Sequence, residues 1–198
     1  MNTNQEDNYS PVITDEFPSD EYLLAIGKFV VTFSRLEEIV VTIMALMFGC
    51  EPEVIANLAY SLDMKSRCQT LRGIMAYRFG SRDKSDQGLD LKRDKDIKKN
   101  DKIFKKVQLA IEKRNILVHS SWHLDKETGL AHRLRAKGRQ VTGFPGGDMS
   151  LVPISEIEQD TKFVDQVQSE LWKFFWDNFG GWIIERAKKN ETGLHYIQ

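Results

Sequence analysis

Apolar side chains recur at three- and four-residue spacing along most of this chain, and the segments that carry the pattern are long. Ile26, Phe29, Val30, Phe33, Leu36, Val40, Ile43, Met44 and Met47 mark one buried face of a helix running from about Glu21 to Phe48. Ser19 or Asp20 can cap its start, and Gly49 with Pro52 beyond stops it. A short helix from Glu53 to about Leu58 leads to a second long one, roughly Asp63 to Phe79, whose core side is Leu62, Cys68, Leu71, Ile74, Met75 and Phe79. Gly80 to about Asp101 mixes charges of both signs with few hydrophobics, the signature of a mobile surface loop. The stripe resumes with Ile103, Phe104, Val107, Ala110, Ile111, Leu117 and Val118, a third long helix from about Ile97 to Val118.

Beyond Ser121 the period changes. Trp122–Leu124 and Leu130–Arg135 around Gly129 read as a β-hairpin, with Gln140–Phe144 as a third short strand. Ser155 with Glu158 gives a capping-box signal for a last helix reaching about Lys188. Its stripe is Ile157, Val164, Val167, Leu171, Phe174, Phe175 and Trp182. Trp172, Trp176 and Phe179 widen it into an aromatic face suited to a core or to a protein interface. The expected fold class is mainly α: a bundle of about four long helices with a small β-hairpin insertion before the last. Residues 20–190 form one domain containing the insertion at 121–152, with a flexible or loosely docked arm at 1–19 and a tail at 191–198.

Two of these apolar stripes are broken by charge. Glu37 falls between Phe33 and Val40, and continuing from Val107 through Ala110 arrives at Arg114. A charge inside an apolar stripe costs several kcal/mol unless it finds a partner or water. Glu37 therefore either snorkels from the stripe's edge or faces a buried polar cluster, where it would hold Arg114 or His119 in place. Arg114 opens the run Arg114-Asn115-Ile116-Leu117-Val118-His119, with four residues between the Arg and the His. On a helix, Asn115 and His119 share a face, and the arm of Arg114 reaches the same patch. A guanidinium, an amide and an imidazole at one spot suit the handling of a phosphate. A structural salt bridge between two helices is the plainer role for Arg114.

This run resembles the Arg-x(4–6)-His motif of the HEPN superfamily, with Asn115 as the polar residue that follows the Arg. The likeness extends to Phe33-Ser34-Arg35-Leu36-Glu37 on the first long helix; it spans roughly residues 20 to 190 but matches residue by residue only in these two segments. It implies a HEPN-like bundle and a metal-independent endoribonuclease, in a toxin or phage-defence setting, with no cofactor. It also implies a symmetric homodimer whose two motifs face each other across a cleft, RNA as substrate, and an antitoxin protein as a further partner. On that reading His119 is the general acid/base, Arg114 the phosphate clamp, Asn115 an orienting hydrogen-bonder and Glu37 a supporting residue. The alternative is a non-catalytic dimeric module that binds a nucleotide or a partner protein. A third is the helper half of a toxin–antitoxin pair with a nucleotidyltransferase.

Composition narrows the picture only in places. The 198 residues carry a net charge of −1, so no overall basic field draws the chain to nucleic acid and any RNA surface is a local patch. Lys105, Lys106 and Lys113 load the third long helix, while Arg133 and Arg135 load the hairpin; these are the candidate RNA-binding residues, against plain solvated or edge-protecting roles. Lys65, Arg67, Arg72 and Arg78 read as a solvated surface of the second long helix, with Arg72 able to meet a phosphate. Cys50 and Cys68, without metal-type spacing, suit reduced thiols in a cytoplasmic protein. No signal-peptide pattern opens the chain, and Arg35, Glu37 and Glu38 interrupt the most apolar window, so no membrane span is expected. His119 and His123 have helical metal spacing but lack the Glu and third ligand of such a site, and Ser120 or Ser121 lacks the surroundings of a nucleophile.

Overall fold

A computed structural model describes residues 13–14, 18–80, 87–125, 128–136 and 147–191. It is mainly α with a small β insertion. The helices are α1 (Asp20–Phe48), α2 (Pro52–Tyr60), α3 (Met64–Gly80), α4 (Gln87–Val118) and α5 (Ile154–Glu191). The strands are β1 (Ile13–Thr14), β2 (Ser121–Asp125), β3 (Ala131–Ala136) and β4 (Gly147–Val152), joined in order in one antiparallel sheet.

The core is the predicted stripes brought face to face. Phe29, Phe33, Leu36, Val40 and Ile43 of α1 pack with Leu71, Met75 and Phe79 of α3, Val107 and Ala110 of α4, and Val164, Leu171 and Phe175 of α5, all buried. Polar ties give the helix directions. Tyr22 Oη donates to the Val152 carbonyl at 2.9 Å, Gln168 Nε2 to the Thr32 carbonyl, and Arg186 Nη1 to the Met47 carbonyl at 3.3 Å. Residue numbers rise together along this seam, so α1 and α5 run parallel. Lys106 meets Glu170 while Lys113 meets Asp160, so α4 runs antiparallel to α5. The ties from Arg72 to Asp101 and from Asn100 to the Arg72 carbonyl belong to an α3–α4 pair that is antiparallel as well, since Lys65 faces positions past Phe104. At the α1 terminus Gly49 takes φ 71°, and a Cβ there would sit 2.7 Å from the Arg186 guanidinium that caps the helix.

Two expectations are corrected and one strand is added. The charged stretch after Gly80 does not stay a loop as far as Asp101: α4 begins at Gln87, ten residues before the expected start at Ile97. Lys, Arg, Leu and Asp at mixed spacing tolerate a helix well, and the buried face here is polar, with Asp96 and Asn100 continuing the line of Phe104 and Val107. Period-based reading sees no stripe in such a face. The hairpin forms as expected, turning at Gly129 (φ 67°), and a further strand lies at Gly147–Val152; the expected strand at Gln140–Phe144 falls outside the described residues. The last helix starts one residue before Ser155, behind Pro153. Of the arm, Ile13–Thr14 pairs with Leu124 and Asp125, which docks it there on the sheet edge. Among the described residues no single helix is long and apolar enough to cross a membrane.

Candidate functional site

The last four carbonyls of a helix have no partner within it. At the end of α4 the residues that follow supply three of them. The His119 N–H bonds the Asn115 carbonyl at 3.1 Å, Ser120 Oγ donates to the Ile116 carbonyl at 2.5 Å, and Trp122 Nε1 donates to the Leu117 carbonyl at 3.0 Å. These bonds stop the helix at Val118 and fix the path of the chain into β2. His119 thus stands one residue past the helix rather than on it, yet its side chain folds back over the last turn.

There it meets Arg114. Nη1 of Arg114 lies 3.1 Å from His119 Nε2 and 3.2 Å from Asn115 Oδ1. A guanidinium can only donate, so Nε2 is the acceptor in this contact. One nitrogen makes both bonds, which leaves Nη2 and Nε of Arg114 without a protein hydrogen-bond partner among the described residues. The guanidinium carbon also sits 6.0 Å from the Phe33 ring centre, which ties the end of α4 to α1.

The trio opens into a cleft of about 560 Å³ between α1, α3 and α4. Glu37 lines it, as do Asp63, Lys65, Arg67 and Gln108. Glu37 is half-buried and forms neither a hydrogen bond nor an ion pair among the described residues, so it shares the cleft with Arg114 and His119 without holding either by contact. Asp63 caps α3: it accepts from the Ser66 N–H at 2.7 Å, and that bond holds its carboxyl below the ordinary carboxylate range. Arg67 Nε donates to the Ala59 and Leu62 carbonyls, closing the α2–α3 turn against the cleft wall.

The two interruptions read from the sequence therefore share one cavity, but most of the predicted RNA-binding residues lie elsewhere. Lys113 is taken up by Asp160 at 2.5 Å and lies over the Phe163 ring, Lys106 by both oxygens of Glu170 at 2.6 and 2.7 Å, and Arg133 by Glu156 at 3.7 Å. None of these three lines the cleft. The Arg135 side chain falls outside the described residues. Only Lys105 faces the site region, in an adjoining groove. The reading from sequence missed Lys65 and Arg67 as cleft residues. Their signal was their place just after the Asp63 cap, one turn into a helix whose buried face was already known. Cys68 is a protonated bystander, its thiol pushed up to about 12 by burial. Among the described residues no group of three His, Cys, Asp or Glu could hold a metal ion.

No protein-family model matches this sequence, and neither a curated protein nor a solved structure matches it.

Proposed function

We propose that this chain is a metal-independent endoribonuclease of HEPN type, acting as a homodimer in which two copies of the Arg114–His119 pair complete one site. The observation that carries this reading is the 3.1 Å contact between a partly free guanidinium and an exposed imidazole in an open cleft. In the reaction, a ribose 2′-oxygen attacks phosphorus and the bond to the 5′-oxygen breaks, leaving a 2′,3′-cyclic phosphate and a 5′-hydroxyl. A base takes the 2′-OH proton and an acid gives one to the departing oxygen. One imidazole cannot be both at once. His119 of one protomer serves as base and the partner's His119 as acid. Arg114 grips the phosphate as its charge grows, worth about 10²–10³ in rate for one such donor, and Asn115 orients the clamp.

The test is cleavage of a labelled single-stranded RNA in the presence of EDTA. Wild type is expected to yield cyclic-phosphate ends. His119→Ala and Arg114→Ala are expected to cut the rate by at least about a hundredfold, with the helical circular dichroism and the dimer intact. If the toxin setting holds, induced expression of wild type stops growth and His119→Ala does not. Undiminished cleavage by His119→Ala, or none by wild type on any RNA, would overturn the reading in favour of a binding module.

A further inference from the structure

The charges around the Arg114–His119 cleft are unevenly distributed. On one side, Glu37 and Arg67 form a wall shared with a second cavity of about 480 Å³ between α1 and α2, which adds Glu38 and Glu53. Three carboxylates against one arginine make that side repel a phosphate chain. On the other side, Lys65 and Gln108 are shared with a groove of about 380 Å³ between α3 and α4. Its charged lining residues are Lys65, Arg72 and Lys105, all basic. Arg72 is partly neutralised by Asp101 at 2.9 Å, but Lys65 and Lys105 are exposed and make no ion pair among the described residues.

Cleft and groove together run back along α4 from His119 to Lys105, roughly 20 Å at 1.5 Å per residue, long enough for several nucleotides. Exposed cations that track the backbone are the first requirement for holding a single strand.

We propose that the α3–α4 groove is the track for the single-stranded RNA that flanks the scissile bond. Lys65 and Lys105 neutralise its phosphates, and the α1–α2 carboxylates bar the opposite exit. The strand thereby leaves the site in one direction only. The proposal rests on the ribonuclease reading for the position of the scissile bond, but binding tests it without cleavage.

The probe is a fluorescent 2′-O-methyl oligonucleotide, which cannot supply the attacking hydroxyl, titrated by anisotropy at several salt concentrations against the full chain. The double variant Lys65→Glu/Lys105→Glu is expected to lose at least tenfold in affinity, with a salt dependence flatter by the loss of about two phosphate contacts. Circular dichroism and size-exclusion profiles should match wild type for these exposed positions. Binding of wild type that the double variant does not alter overturns the track, while cleavage lost in His119→Ala would leave the ribonuclease standing. Absence of wild-type binding overturns the track too. Binding through the track by a protein that cleaves no RNA would keep the track and remove the ribonuclease.

Discussion

Trp122→Phe isolates the device that places His119. The indole N–H donates to the Leu117 carbonyl at 3.0 Å, and Leu117 is buried, so phenylalanine keeps an aromatic ring against the core while orphaning one helix-terminal carbonyl. A typical hydrogen bond contributes about 1 kcal/mol net, and an acceptor left dry costs about 1–3 kcal/mol. Since Trp122 is only half-buried, water reaches part of the gap and the lower half of that range applies, about 1–2 kcal/mol. For a chain of this size each kcal/mol moves the melting temperature by about 2–4 °C, so a drop of roughly 3–6 °C is expected. The functional effect should be larger in proportion. The bond lies three residues from His119, and a displacement of about 1 Å at a catalytic group can cost about 10² in rate. Thermal melts and single-turnover cleavage measured side by side test this. An unchanged melting temperature with unchanged cleavage would show that the chain leaves α4 correctly without the indole bond, and the account of how His119 is positioned would be wrong.

Further expectations concern charges and thiols. Lys106, bonded to both Glu170 oxygens, holds the Glu170 carboxyl below its usual range of 4.5. A depressed carboxylate stabilises the fold above its unfolded value and loses that contribution as pH falls through the folded one. Denaturant titrations of Lys106→Ala below pH 4.5 should thus show a flatter acid limb than wild type, and about 1 kcal/mol less stability at neutral pH, solvent screening included. The same variant should bind oligonucleotide as wild type does. Cys68 is raised from 9.0 to about 12, so the unfolded chain gives up this proton first and stability should decline between those values. The slope is about 1.4 kcal/mol per pH unit, and Cys68→Ala should remove it. A thiol reagent should titrate Cys50 at once and Cys68 only on unfolding.

How much of this could be read from residue order follows from what each signal measures. Amphipathic period reports which face a helix buries. It therefore gave α1, α3, the apolar half of α4 and α5, and it exposed Glu37 and Arg114 as charges where none belonged. It did not extend α4 back before Ile97: the buried face there carries Asp96 and, one turn on, Asn100, and a polar inward face has no apolar period. A lysine's position along the chain says nothing of whether its charge is already answered. Lys106 and Lys113 look like an RNA-attracting run until α5, 64 and 47 residues later, brings Glu170 and Asp160 against them. Lys65 and Lys105 stay outside such pairs; they come from different helices and become neighbours only when α3 packs antiparallel on α4. In a chain of net charge −1, attraction for a polyanion depends on which basic groups the fold leaves unpaired. Here two of them, Lys65 and Lys105, stand along one groove that adjoins the Arg114–His119 cleft.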